Sequence, residues 1–178
     1  RHQFHHVIDI APTLLEAAGI KEPEEVDGIE QSPMEGVSLM YTFDKKNAAA
    51  PSTHETQYFE MFADRAIYHD GWIAGTKVMR PPWVHAEPKQ SALDYPWELY
   101  DLRNDWTQSE DLAAKNPKKV KELEEIFWQE ARKYDVMPLD ATVVTRMITP
   151  RPSITAGRSV FSWTRPLIGT PNGDAPSV

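Results

Sequence analysis

The segment that ends at Tyr134 has the clearest pattern of apolar and polar positions. Its apolar residues are separated by three, four, four and three positions, and its opposite face carries Lys, Glu and Gln. Asn116 and Pro117 stand where a helix cap and a first helical residue are expected. The pattern predicts an amphipathic helix whose apolar face covers another element. The apolar positions are Val120, Leu123, Phe127, Ala131 and Tyr134.

Three stretches have the two-residue period of β-strands. In Thr56–Met61, Tyr58 and Glu60 alternate with Gln57, Phe59 and Met61, as in a strand that is buried mainly on one side. Residues 65–69 and 72–77 flank Asp70-Gly71, a dipeptide that favours a type I′ hairpin turn. Residues 96–102 alternate again and predict a strand antiparallel to the hairpin. We therefore expect an α+β fold, with a small antiparallel sheet of about four strands covered by the C-terminal helix.

The N-terminal region predicts a short strand end that runs into a helix between Val7 and Gly19. Asp9 is the expected cap, Pro12 lies in the first turn, and Gly19 ends the helix. One face would be apolar and would need a partner surface. The residues on that face are Leu14, Leu15 and Ala18.

Long irregular connections separate these elements. Residues 21–36 have neither period and predict a surface loop, and residues 78–96 contain too many prolines for a regular element. From Val136 onward the pattern disappears, which predicts an extended arm. Four arginines recur along the arm, and they suit either docking to an acidic partner or, more commonly, the solvated charges of a linker. They are Arg146, Arg151, Arg158 and Arg165.

The composition argues against two classes of function, nucleic-acid binding and membrane binding. The chain has 178 residues, a formal charge of −8 and no cysteine. Nucleic acid is an unsuitable partner because the lysines near residue 120 are interleaved with glutamates. No apolar run approaches the roughly twenty residues that cross a bilayer, so we expect a soluble piece that does not bind membrane. The opening residues carry no signal-peptide pattern and the closing residues are rich in turn formers, so we expect a part of a longer protein.

Candidate catalytic groups are few. The sequence contains no glycine-rich phosphate loop, no H-E-x-x-H and no G-x-S-x-G. Polar residues cluster around the first strand and its hairpin, namely His54, Glu55, Glu60, His69 and Asp70. His54, flanked by the Glu55 carboxylate, suits an acid or a donor to an anionic substrate. The alternative, an ordinary loop histidine with a local hydrogen bond, is the commoner case.

A metal site near the N-terminus is the weaker interpretation of His5, His6 and Asp9. Convergent ligands require a fixed scaffold, and no third or fourth partner is spaced nearby. We therefore predict no metal ligands in this chain.

Three stretches, taken together and in this order, resemble the C-terminal part of a type I sulfatase. Residues 6–19 (HVIDIAPTLLEAAG) are similar to the family's V-D-[ILV]-x-P-T-[LI]-L-x-x-A-G segment, and residues 36–39 (GVSL) resemble its G-x-S-L loop. Residues 97–105 (WELYDLRND), with 110–113 (EDLA), are similar to its E-L-Y-D-L segment. Residues 57–61 and 65–72 resemble counterparts in the large bacterial arylsulfatases. The resemblance covers residues 1 to 139.

The resemblance implies that the catalytic groups lie in a domain outside this chain. Sulfatases of this type have an alkaline-phosphatase-like α/β domain with a formylglycine nucleophile, made from a [CS]-x-P-x-R motif, and a calcium ion. This chain contains no such motif, and the family's calcium ligands lie in upstream segments. The chain alone is therefore expected to be inactive and to bind no cofactor. Its parent would hydrolyse sulfate esters in the periplasm or cytoplasm of a bacterium, with the missing N-terminal α/β domain as its partner.

Domain boundaries follow from the same resemblance. Residues 1–50 would end the α/β domain, and its N-terminal helix would pack there. Residues 51–139 would form the C-terminal subdomain, and 140–178 an arm toward a further β domain. Within this plan no residue of the chain is catalytic, and His54 and Glu55 are the candidates to border the substrate. The competing hypothesis is a non-catalytic interaction module that uses the sheet face and the arginine-bearing arm.

Overall fold

A computed structural model describes residues 1–77, 91–137 and 139. The predicted arm (140–178) and most of the proline-rich stretch (78–90) lie outside the described residues. The chain divides into two compact units. The first comprises Arg1–Gln57 with His69–Gly71, and the second comprises Tyr58–Tyr68 with the described residues from Trp72 onward. The predicted domain boundaries at residues 50 and 139 stay predictions.

The secondary structure follows in chain order. The helices are α1 (Ile10–Ala18) and α2 (Pro117–Lys133), and the strands are β1 (Glu25–Val26), β2 (Ile29–Glu30), β3 (Thr56–Met61), β4 (Asp64–His69), β5 (Trp72–Thr76) and β6 (Glu98–Asp101). Short 3₁₀ turns occupy Val7–Asp9, Met40–Phe43, Lys45–Asn47 and Ala92–Asp94. Strands β3 to β6 form one antiparallel sheet in sequence order, with α2 packed on it. This confirms the predicted α+β class.

Tight turns join the strands because consecutive residues adopt positive φ. Asp70 (φ 43°) and Gly71 (φ 80°) form the predicted turn between β4 and β5. Phe62 (φ 54°) and Ala63 (φ 68°) do the same between β3 and β4, although neither residue type signals such a turn. The first unit contains a third such pair at Asp27-Gly28, between β1 and β2. The prediction of an irregular loop over residues 21–36 was therefore wrong at this hairpin.

The core of the second unit lies between the sheet and α2. In the β5–β6 pair, Ala74 stands opposite Leu99, and both side chains are fully buried with Ile67 of β4. The apolar face of α2 supplies the other side of this core through fully buried Leu123, Phe127 and Ala131. The helical spacing therefore predicted correctly which face of α2 is buried.

The same unit also contains a buried cation. Arg65 of β4 is 3% exposed, and its guanidinium carbon lies 5.0 Å from the ring centre of Trp97 and 5.5 Å from that of Trp128. Burial lowers the pKa of Arg65, and the charge of Glu124 acts in the opposite direction. Two indole rings thus replace much of the water that a guanidinium loses on burial.

The N-terminal helix matches its predicted end. Gly19 has φ 67°, and the N–H groups of Gly19 and Ile20 donate to carbonyls of the last turn, as in a Schellman-type cap. Residues Val7–Asp9 form a 3₁₀ turn, so the predicted strand end was wrong. Leu14 is 63% exposed and Leu15 is half-buried.

Among the described residues, no helix is long and apolar enough to span a membrane.

The packing of α2 on the sheet leads to a prediction about stability. Phe127→Ala should lower the free energy of unfolding by about 3–5 kcal/mol, because it leaves a cavity under a fully buried ring. Lys121→Ala on the exposed face of the same helix should change it by less than about 0.5 kcal/mol. Urea denaturation measures both, and equal losses would contradict the assigned core.

The burial of Arg65 leads to a second prediction about stability. Arg65→Lys keeps the charge but removes the planar group that lies over the rings of Trp97 and Trp128, so we expect a loss of about 1–2 kcal/mol in the free energy of unfolding. Arg132→Lys, at an exposed position of α2, is the matched control. An Arg65→Lys variant as stable as the original protein would show that stacking contributes nothing.

Candidate functional site

The first unit contains a fully buried carboxylate at Asp9. Asp9 Oδ2 accepts a hydrogen bond from the His6 N–H at 2.8 Å, and Oδ1 accepts one from the Val37 N–H at 2.9 Å. His54 Nδ1 lies 2.8 Å from Oδ1 and 2.9 Å from Oδ2. We call the side chains of Asp9 and His54, with the backbone N–H groups of His6 and Val37, the Asp9 junction.

The junction corrects the predicted role of Asp9. Asp9 precedes the first residue of α1, as expected of a cap, but its side chain makes no hydrogen bond to the helix. The carboxylate instead turns back to His6, because the preceding 3₁₀ turn brings that N–H within reach. The Asp9 carbonyl accepts from the Thr13 hydroxyl at 2.6 Å.

The Asp9 carboxylate carries a negative charge at neutral pH. Burial acts to raise the pKa of Asp9, but hydrogen bonds from His6, Val37 and His54 outweigh it, and the pKa lies below its ordinary value of 3.8. An ionised carboxylate has only acceptors, so the shared hydrogen belongs to His54 Nδ1.

The His54 ring is enclosed by aromatic neighbours. His54 is 5% exposed, and its ring centre lies 5.5 Å from that of Phe4 and 6.3 Å from that of His6, both in edge-to-face orientation. Its Nε2 atom makes no hydrogen bond within the described part of the chain.

The two N-terminal motif segments are joined through this junction. Val37 of GVSL binds the Asp9 carboxylate, and the Leu39 N–H donates to the Thr13 hydroxyl at 2.8 Å. Gly36 passes so close to the Ile8 backbone that an added Cβ would lie 2.1 Å from its carbonyl oxygen. The Gly, Asp and Thr of these segments are thus the residue types that this packing requires.

The third motif segment is held by its own carboxylates. Asp111 accepts from the Leu99 N–H at 2.9 Å, and the Leu112 N–H donates to the Leu99 carbonyl at 2.8 Å. Asp105 accepts from the Ser109 and Glu110 N–H groups, which with other local donors lower its pKa. These acidic residues fold a loop back onto β6.

The other candidate residues have separate contacts. Glu55 is exposed, and its carbonyl accepts from the Asp70 N–H at 3.1 Å, so the carboxylate that binds His54 is Asp9 and not Glu55. His69 Nδ1 lies 2.8 Å from Thr56 Oγ1. Glu60 accepts from the Ala63 N–H in the β3–β4 turn.

Sequence reasoning missed the pairing of His54 with Asp9. The two residues are 45 positions apart, and no local period connects them. The available signal was the resemblance itself, because Asp9 and Val37 lie in its first two segments.

The donor set does not fit a resident metal. Within residues 1–77, 91–137 and 139, no group of three or more His, Asp or Glu side chains is arranged to hold a metal ion. Both Asp9 oxygens already accept from protein donors. A calcium ion in a parent enzyme would need ligands from other segments.

No protein-family model matches the chain. Solved structures do resemble it. One, from work on the metabolism of multiple glycosaminoglycans by Bacteroides thetaiotaomicron and designated 6S-sulf, is 20% identical with a TM-score of 0.45, over 68% of this chain and 24% of that chain. Another, in complex with its substrate D-glucosamine-2-N,6-O-disulfate, is 20% identical with a TM-score of 0.47, over 74% and 25%. A third, in complex with k-i-k-neocarrahexaose, is 20% identical with a TM-score of 0.42, over 73% and 28%.

These neighbours are sulfatases, and the chain spans about a quarter of their length. At this level of identity and superposition, the likeness carries no argument about activity. The case for a function therefore rests on the motif segments and on the geometry that they build.

Proposed function

We propose that the chain is the C-terminal part of an arylsulfatase-like enzyme that hydrolyses sulfate esters. The observation that carries the proposal is the Asp9 junction. Residues from two separate sulfatase-like segments meet there, and each has a physical role: Asp9 as the buried acceptor, Thr13 as a bridge and Gly36 as the point of close approach. A chance resemblance of short strings would not be expected to form one hydrogen-bonded unit.

Within that enzyme, the proposed role of this chain is structural and substrate-bordering. The nucleophile, a formylglycine, and the calcium ligands would come from an N-terminal α/β domain. The exposed apolar side chains of α1, Leu14 among them, would pack against that domain. His54 would present Nε2 at the edge of the substrate site, beside the exposed Glu55.

Activity of the complete protein tests the proposal. We expect the full-length product, with its nucleophile matured, to hydrolyse p-nitrophenyl sulfate or another sulfate ester, and the 178-residue chain alone to hydrolyse none. Absence of turnover on a panel of aryl and sugar sulfates, with maturation verified by mass spectrometry, would refute it.

The substrate-bordering role of His54 has its own test. His54→Asn retains a donor near the Nδ1 position for Asp9 but removes Nε2. In the complete enzyme we expect the variant to remain folded by circular dichroism and kcat/KM to fall about tenfold for at least one sulfate ester, the size of one lost hydrogen bond. The control is His69→Asn, which alters a half-buried histidine that also has an Nδ1 contact and should leave kcat/KM unchanged. Unaltered kcat/KM for His54→Asn across the panel would remove His54 from the substrate site.

The charge on Asp9 predicts a pH dependence of stability. Because the folded state lowers the pKa of Asp9 below 3.8, its contribution is present above that value and is lost as pH falls through the lower folded pKa. At pH 7, Asp9→Asn should cost about 2–3 kcal/mol, because an amide N–H₂ would replace an acceptor oxygen opposite buried N–H donors. The gap between Asp9→Asn and the original protein should narrow below about pH 4, as measured by urea denaturation. A gap that stayed constant down to pH 2.5 would mean that the carboxylate charge is irrelevant.

A further inference from the structure

Two Asp-Gly pairs in this chain share a turn conformation and differ in how firmly the turn is held. They are Asp27-Gly28, with φ 52° and 79°, and Asp70-Gly71, with φ 43° and 80°. The side-chain carboxyl carbon of an Asp can react with the backbone nitrogen of the next residue to form a five-membered succinimide ring. Glycine hinders this attack least because it has no Cβ. Both pairs are therefore chemically suited to the reaction, and the surrounding structure decides which one reacts.

The hairpin around Asp27 is weakly held. Strands β1 and β2 contain two residues each and form a separate two-stranded sheet. In their register, Glu25 stands directly opposite Glu30, and like charges at such positions are destabilising. All residues from 21 to 35 are exposed, and a Cβ added to Gly28 would meet no described atom within 4 Å. A two-stranded hairpin without a core is marginal in water, so this turn opens at little cost.

The turn at Asp70 is held at several points. It connects strands of six and five residues in the four-stranded sheet, and fully buried Ile67 and Ala74 lie on those strands. The Asp70 N–H also donates to the Glu55 carbonyl at 3.1 Å. Succinimide formation requires rotation about the Cα–C bond of the Asp, which would disrupt these contacts. Opening this turn therefore costs more than opening the turn at Asp27.

We infer that Asp27 is a site of spontaneous conversion to isoaspartate, and that the four-stranded sheet protects Asp70 from the same reaction. The Gly28 nitrogen forms a bond to Asp27 Cγ, and the carboxyl oxygen leaves as water with the nitrogen-bound hydrogen. Water then adds to one of the two ring carbonyls. Addition at Cγ restores aspartate, whereas addition at the main-chain carbonyl carbon leaves the backbone running through Cγ, which is isoaspartate.

The conversion would alter the hairpin without changing the mass of the chain. The isoaspartyl backbone is longer by one methylene group, and its free carboxylate is attached to the α-carbon. The added atom is incompatible with a turn of two residues at positive φ, so the pairing of Val26 with Ile29 would be lost. This inference does not depend on the proposed sulfatase activity.

Site-resolved kinetics in the complete protein test the inference. Trypsin separates Asp27 (residues 22–45) from Asp70 (residues 66–77), and from Asn172-Gly173, which yields isoaspartate by the same chemistry. Isoaspartate in each peptide is measured by fragmentation mass spectrometry after incubation at neutral pH, with and without denaturing urea. The rate in urea divided by the rate in the folded protein gives a protection factor that cancels the effect of local sequence. We expect the factor for Asp70 to be larger by about tenfold or more.

Equal protection factors for the two sites would overturn the inference. So would an absence of isoaspartate at Asp27 in the folded protein over a period in which the urea-denatured protein forms it. Asp27→Glu is the matched control, because it keeps the carboxylate but cannot form the five-membered ring. In this variant isoaspartate should disappear from the peptide of residues 22–45 and stay unchanged in residues 66–77. Isoaspartate that persisted in the first peptide would assign the reaction to Asp44 and contradict the inference.

Discussion

A buried carboxylate organises the first unit of this protein. Isolating an ionised carboxylate from water is costly unless donors replace the lost hydration. Asp9 has three such donors, and they come from three separate places in the chain: His6, Val37 and His54. Because each donor must be held at hydrogen-bonding distance, the charge imposes the path of the 3₁₀ turn, the GVSL segment and the loop before β3. Gly36 and Thr13 are consequences of that path, as one allows the close approach and the other bridges to Leu39.

The second unit accommodates a buried charge in a different way. Its buried cation, Arg65, is placed against the rings of Trp97 and Trp128, and the surrounding core is apolar, with Phe127 and Leu99 fully buried. The His54 ring is held by its contact with a charged group, whereas Arg65 is held by contacts with aromatic rings.

The sequence predicted the elements whose signals are local. The helical spacing of Leu123, Phe127 and Ala131 identified α2 and its buried face, and Asp70-Gly71 identified the β4–β5 turn. Two other turns were not predicted from the sequence. Asp27-Gly28 has the same turn chemistry but lies among acidic residues without strand-like alternation, and Phe62-Ala63 adopts positive φ because the flanking strands pair, although neither residue favours it. The Asp9–His54 contact joins residues 45 positions apart, so only the fold brings them together. The local sequence pattern predicted that Asp9 caps α1, because such a pattern takes no account of a donor that is distant in the sequence.

The central claim is that Asp9 and His54 act as one energetic unit, and a double-mutant cycle tests it most directly. The free energies of unfolding of the original protein, Asp9→Asn, His54→Ala and the double variant would be measured by urea denaturation at pH 7. We predict a coupling energy of about 2 kcal/mol or more, because each single change leaves a buried polar partner unsatisfied. Losses that add to within about 0.5 kcal/mol would contradict the account.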